Sequence, residues 1–532
     1  MSARARQLAP VILYAVLSVL VVPVYPHFVS SNEFSRWVLA VAIVDFHTVE
    51  ATPVVNSTHT RMEDLATVDG RLYSNKAPGG ALVGLPAYLV ARAIVGPPTQ
   101  HNMRATLNAM RLLASTVPAI LLAFWLGNVA RRFGCSEDRA NFATVAMLFG
   151  TPLFAYGLLF FAHALSAFTL FGTFALLFDR KLSAAGSQLS GSPESRQPRA
   201  ESLAGVLIGL AVLSEYPNAI PSAILVACAL PRLRIGGVLR IIAGGLPFAV
   251  LLGIYNKLAF GSVFTLSSAH EVDTNIRELA SRGLFGVGLP SPDYLLRLLL
   301  DPSKGLFVLS PVLLIALLGI RGAWKAMPRG AFIALIATPL SILLTFAGYP
   351  NWFGGWTVGA RYLVAAVPFL ALLIAFAAAT SIEALLLGAS VTVIAIVSLV
   401  FPFVAPDYPA PWISFAWPML RKGFVAPNLL HFVWRPLAIA VPFAIVAAAA
   451  VLAVPARRVA LLIFGGLLWF VIGFPAERAR TGPPYVRALV QRVHFDDTNA
   501  IVESLRPGDP NARSLAAIAS RMMTVPPDPW PF

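Results

Sequence analysis

Between residues 32 and 80 the chain carries an unusual set of polar groups for a segment flanked by apolar runs: Asn32, Glu33 and Arg36, then Asp45, then Arg71 and Lys76 ahead of Pro78-Gly79-Gly80. Carboxylates can accept a proton from an attacking hydroxyl. Arg and Lys can bracket a phosphate and hold the charge that builds on it as a bond breaks. A second group lies far downstream, where Trp352-Phe-Gly-Gly-Trp-Thr-Val-Gly-Ala-Arg361-Tyr362 joins glycines, tryptophans and a guanidinium at the mouth of an apolar run. Glycines there let backbone approach a ligand, and the Arg can take a phosphate through two donors. Glu215, in Leu213-Ser-Glu-Tyr-Pro-Asn218, sits where Pro217 breaks an apolar stretch; an ionisable group at such depth should face a cavity or a partner. His163 is a further polar residue near a hairpin tip, read either as a packing residue or as a substrate contact. His270, Glu271 and Asp273 are of metal-binding type, but no second cluster has ligand spacing, so they are read as part of a solvated loop; the sequence implies no metal site and leaves metal dependence open.

The elements that must hold these groups are helices in a bilayer. Of 532 residues 57% are hydrophobic and 12% are charged, with mean hydropathy +0.74, which excludes a soluble fold of this length. The apolar runs are long and lack the period-two alternation of a barrel. The expected architecture is all-α: a polytopic bundle over residues 1–474 of about thirteen spans, at about 8–26, 108–128, 140–157, 160–178, 203–214, 217–230, 239–259, 305–320, 331–348, 362–379, 382–401, 437–454 and 459–474. Residues 475–532 form a short extracytoplasmic tail with one amphipathic stretch, 485–493, and residues 186–199 read as a flexible cytoplasmic linker.

Basic connectors set the orientation. With the N-terminus cytoplasmic, Arg131, Arg132, Arg139, Arg232, Arg234, Arg321, Lys325, Arg457 and Arg458 all fall inside, and the tips near Tyr156–His163 and Tyr216 fall outside. This assignment keeps the apolar stretch 81–96, which contains Pro86 and Arg92, on the outer surface as an interfacial helix within a first external loop of residues 27–104. The same assignment puts the C-terminus on the extracytoplasmic side, and the expected location is a bacterial inner (plasma) membrane. Excess positive charge, 40 Lys and Arg against 25 Asp and Glu, is read as affinity for anionic lipid rather than nucleic acid. Neither a Walker A sequence nor a dinucleotide-binding glycine fingerprint is present, so the energy for any transfer must come with the donor. The two cysteines, Cys135 and Cys228, are expected to stay unpaired.

On Asn32-Glu33-x-x-Arg36, Asp45 and Lys76-Ala-Pro-Gly, the sequence resembles the GT-C glycosyltransferases that use polyprenyl-phosphate sugars, among them the protein O-mannosyltransferases and the lipid A aminoarabinose transferase. The family's first loop opens with an Asp-Glu pair and later carries a Lys-Pro-Pro-Leu-like element. The resemblance implies a donor of polyprenyl-phosphate-linked sugar and a glycan, lipid or protein acceptor. It also implies a catalytic carboxylate in this loop, with Asn32, Arg36 and Lys76 at the substrate, and Arg361-Tyr362 resembles a Gly-Pro-Arg-Tyr element of related bacterial membrane proteins; Arg71, His163 and Glu215 are added as candidate substrate contacts on their type and position alone. The departure is Asn32, which stands at the family's first carboxylate and cannot take a proton. Either Glu33 or Asp45 fills that role, or the chain binds lipid-linked sugar without catalysis; a transporter or flippase is the remaining alternative.

Overall fold

The structure is a computed structural model and describes residues 3–25, 28–99, 102–178, 196–283, 286–404, 406, 408–421, 423 and 425–475. The expected tail beyond 475, its amphipathic stretch 485–493 and most of the linker 186–199 lie outside the described residues; Arg199 forms part of the first turn of a helix, Arg196–Ser214.

The described chain is predominantly helical. Among the described residues five helices have the length and apolarity to cross a membrane: Met103–Arg132, Ile235–Phe260, Arg329–Ala347, Ser381–Val400 and Arg435–Leu452. Shorter apolar helices follow at Leu8–Val21, Gly79–Val95, His163–Phe178 and Arg361–Phe376. The protein is therefore an integral membrane protein. The expected thirteen spans draw as well on segments that proline divides: Pro217 lies in a 3-10 turn between the helices Arg196–Ser214 and Ala219–Ala229, and Pro311 opens the 3-10 turn that precedes Ile315–Ala326. Arg139 and Arg458, from two of the expected cytoplasmic connectors, meet on one buried carboxylate, Glu383, at 2.5 and 2.9 Å. That shared ion pair sets both connectors at the same end of the bundle.

At the candidate end, the helix Ser31–Asp45 starts on Ser30, whose side chain accepts the Glu33 amide, and its first twelve residues are all buried. It lies inside the protein and not on its surface. Phe34, Trp37 and Val38 pack with Tyr88, Met103, Leu107 and Met110 of the two following helices, and Trp37 Nε1 donates to Thr106 Oγ1 at 2.9 Å.

One element was not expected. Leu65–Val68 and Arg71–Ser74 form an antiparallel hairpin closed by Asp69 and Gly70, both at positive φ, as a two-residue turn of mirrored hand requires. Its register pairs Leu65 with Ser74. Asp64 therefore falls opposite Asn75, beside Lys76.

Candidate active site

Arg36 is the centre from which the site can be built. Helical spacing sets Asn32 one turn below it, and Asn32 Oδ1 accepts from Nη1 at 2.8 Å. Nη2 donates to Glu215 Oε1 at 2.6 Å, which ties the first loop to the break at Pro217. The guanidinium is 2% exposed, yet its Nε has no hydrogen-bond partner among the described residues. Room for it comes from Gly80: a Cβ there would stand 3.3 Å from that same nitrogen. Burial pulls the Arg36 pKa down and the nearby charge of Arg361 adds to that, while Glu215 opposes it by supporting the charge. An anion arriving at Nε would satisfy the orphaned donor and relieve that repulsion.

Arg361 approaches from the 350–361 connector. Its guanidinium lies over the Tyr362 ring at 4.8 Å and Nη2 donates to Tyr362 Oη at 3.1 Å. Its Nε is likewise buried without a partner. Gly354, at φ +68°, makes this possible, because a Cβ would come within 2.8 Å of the Arg361 Nε. The connector is clamped by Lys304, a fully buried ammonium that donates to the carbonyls of Gly355 and Val404, each at 3.1 Å, and to that of Thr357. Sequence reading passed over Lys304.

Lys76 supplies the third cation and pairs with Asp64 at 3.0 Å. Next to it, Asn75 Nδ2 donates to Glu271 Oε2 at 2.7 Å, and Ser35 Oγ donates to Asn75 Oδ1 at 2.9 Å. Glu271 also forms a β-bridge with Ala66. Burial, reinforced by the charges of Asp64 and Asp273, raises its pKa to about 7 against the opposing pull of Lys76 and Asn75. Sequence reading placed Glu271 in a solvated loop; it is instead buried against the hairpin.

These groups form one constellation. Arg36, Lys76 and Arg361 all act electrostatically on His163, whose ring lies edge-on to Tyr362 at 6.3 Å between centroids. Asp64 acts on Arg36, Arg361 and Glu271. Asn32, Arg36, Lys76, His163, Glu215, Arg361 and Tyr362 thus come together from five stretches of chain.

The other candidates sit elsewhere. Both Glu33 oxygens are taken by Arg111, Nε to Oε1 at 2.8 Å and Nη2 to Oε2 at 2.6 Å, while the Phe160 amide adds a third bond at 2.6 Å. The carboxylate is 0% exposed. Asp45, twelve residues on and so about 18 Å along the same helix, is bound by Tyr88 Oη and Arg92 Nε. One reaction centre cannot use both. Arg71 is 67% exposed at the hairpin turn, 3.9 Å from Glu50. Among the described residues no group of three or more His, Cys, Asp or Glu side chains could hold a metal ion.

Asp64, like Lys304, was not among the candidates read from the sequence. Its signal was present: Asp69-Gly70 between two short runs, Leu65-Ala-Thr-Val68 and Arg71-Leu-Tyr-Ser74, marks a hairpin, and a hairpin folds Asp64 back onto Lys76.

The fold is that of the GT-C glycosyltransferases. The chain overlays ArnT of Cupriavidus metallidurans, the lipid A aminoarabinose transferase, bound to undecaprenyl phosphate, at a TM-score of 0.52 and 15% identity over 94% of this chain and 80% of that one. The apo state of the same enzyme gives 0.51 and 16% over 96% and 82%. An oligosaccharyltransferase of Archaeoglobus fulgidus is more distant, at a TM-score of 0.39 and 15% identity over 99% of this chain and 61% of that one. No family model and no curated protein matches the sequence.

Proposed function

We propose that this protein is a membrane glycosyltransferase that moves a sugar from a polyprenyl-phosphate donor to an acceptor hydroxyl on the extracytoplasmic face of the bacterial inner membrane. One observation carries the reading: Arg36, Lys76 and Arg361 all lie within electrostatic reach of His163, and two of them keep a buried guanidinium N–H without a partner among the described residues. Three cations in a partly desolvated setting suit a phosphate whose charge grows from one to two as the glycosidic bond breaks. The Asn75–Glu271 and Arg36–Glu215 bonds fix that geometry in advance, so little reorganisation is left for the reaction itself.

In the proposed reaction the acceptor oxygen attacks the anomeric carbon from the face opposite the phosphate, and the C–O bond to phosphate breaks with its electron pair passing to the departing oxygen. A single displacement inverts the anomeric centre. Glu215, half-held by Arg36 and still partly open, and His163 line the sugar or acceptor side. The lipid tail of the donor belongs in the surrounding bilayer, and the acceptor is a glycan, a lipid or a protein.

Asn32 favours a second reading, because it stands at the family's first carboxylate and spends its side chain on Arg36. In that reading the protein binds lipid-linked sugar without transferring it. Purified protein in nanodiscs, supplied with undecaprenyl-phosphate pentoses and hexoses and with envelope extract from a deletion strain as acceptor, decides between them. Release of undecaprenyl phosphate with a new glycan supports transfer; saturable binding with no release supports the non-catalytic reading.

A further inference from the structure

We infer that the neighbouring first turns of the helices Gly79–Val95 and His163–Phe178 form, with Arg36 Nε, the seat of the donor's phosphate, which is then bound by backbone amides as well as by cations. The inference deepens the glycosyl-transfer reading, from which it takes the identity of the anion, a polyprenyl monophosphate.

The first amides of an α-helix have no acceptor within it, so a side-chain oxygen on the preceding residue, water or a ligand must supply one. Neither helix starts on such a residue. Pro78 precedes the first and makes no side-chain bond to it. Ala162 precedes the second; its carbonyl accepts the Ser166 amide at 2.8 Å, and its methyl has no oxygen to offer. The open amides belong to Gly79, Gly80 and Ala81 in one helix and to His163, Ala164 and Leu165 in the other. All of these residues are buried, and among the described residues none of their amides meets an acceptor. Each helix start also carries roughly half a positive charge from the aligned peptide dipoles.

The two starts and an orphaned side-chain donor border one point. A Cβ on Gly80 would stand 3.8 Å from the Ala162 Cβ and 3.3 Å from Arg36 Nε, so glycine leaves a gap there that a side chain would fill. Asn32 takes Nη1 of Arg36 and Glu215 takes Nη2, while Nε, on a side chain 2% exposed, is left for a ligand. His163 adds a second donor. It is 8% exposed, and among the described residues neither ring nitrogen has a hydrogen-bond partner. Its ring is held beside those of Tyr156, Phe161 and Tyr362, with centroids 5.1, 5.9 and 6.3 Å away. Arg361 reaches the same turn, its guanidinium 5.9 Å from the centre of the Phe161 ring.

Positive helix ends, an imidazole and three cations thus share one place. Phosphate fits it, being anionic and carrying acceptor oxygens on several sides. The turn is also pinned before any ligand arrives. Glu33 Oε1 accepts the Phe160 amide at 2.6 Å, Thr116 Oγ1 donates to the Gly157 carbonyl at 2.6 Å, and Asn218 Nδ2 donates to Ser166 Oγ at 2.8 Å.

The test measures affinity for undecaprenyl phosphate and for inorganic phosphate, with the thermal midpoint, on parent, Gly80→Ala, Ala162→Ser and His163→Ala proteins in nanodiscs. Gly80→Ala fills the gap with the better helix-forming residue; lipid-phosphate affinity should fall about tenfold or more, with the midpoint unchanged or raised. Ala162→Ser supplies the missing cap, whose oxygen competes for the amides, so the midpoint should rise while affinity falls about fivefold. His163→Ala removes one donor and should weaken binding by about as much. Inorganic phosphate should bind the parent far more weakly than the lipid; equal affinity overturns the assignment to a lipid donor. Parent-like affinity in both Gly80→Ala and Ala162→Ser overturns the seat, and so does loss of affinity only where the midpoint falls with it, because the helix starts would then serve the fold alone. Sugar transfer by a parent whose variants all bind like it sinks the seat and leaves the glycosyl-transfer reading standing. The expected pattern of affinities in a parent that transfers no sugar does the reverse.

Discussion

Glu33 and Arg111 are joined by two parallel N–H to oxygen bonds, 2.8 and 2.6 Å, with both side chains out of reach of solvent. Arg111 immediately precedes a widened helical turn, Leu112–Thr116, and Ser115 and Thr116 there bond to carbonyls of the 157–161 segment. The pair thus locks the candidate helix against its neighbour.

Removing one partner strands the other charge. Glu33→Gln should cost about 3–5 kcal/mol of stability, seen as a lower thermal midpoint in nanodiscs. Arg111→Met combined with Glu33→Gln should recover much of it. If the double variant is stable and still transfers sugar, Glu33 acts through the fold; a stable double variant without activity would return Glu33 to the reaction.

Arg36→Lys keeps the charge but loses the fork that serves Asn32 and Glu215 together. Undecaprenyl phosphate binding should fall about tenfold or more, by roughly the 1.4 kcal/mol or so that one charge-assisted hydrogen bond supplies. Binding equal to that of the parent would show that Arg36 is a structural tie and not a phosphate ligand.

Gly354→Ala tests the connector without replacing a charged group. The new methyl both opposes a φ of +68° and presses on the Arg361 Nε, so the guanidinium must move. Its effect on lipid-phosphate affinity should match that of Arg361→Ala in direction, with the double variant no worse than Arg361→Ala alone.

Glu271 makes stability depend on pH. Its pKa, raised to about 7 from 4.5, means that the folded protein binds this proton where the unfolded chain has lost it. Stability from this group is therefore greatest below about 4.5, declines as pH rises, and is lost above about 7. Glu271→Gln should raise the thermal midpoint at pH 8 and leave it nearly unchanged at pH 5. An equal shift at both values would contradict the assignment.

Much of this was legible in the residues. The helical bundle follows from the apolar runs, and Arg36, Lys76, Glu215 and Arg361 stand out by type and position alone. Carboxylate roles were not legible, because the sequence cannot show which partner each will find. Glu33 looked available until Arg111, 78 residues later, proved to occupy both its oxygens. Glu271 looked solvated because its burial depends on Asn75 and Ala66, nearly 200 residues earlier. Asp64 was a different case: the turn that delivers it is local, and Asp69-Gly70 announces it.

The bridge between Ala66 and Glu271, and the convergence on Arg361, have a consequence for synthesis. A ribosome that has released only the first few helices has made every first-loop cation and none of the downstream half of the grip. Insertion must reach past residue 361 before the three positive groups can face one another. Until then a growing chain lacks the cation cluster of the finished protein, so the grouping arises late and in one step.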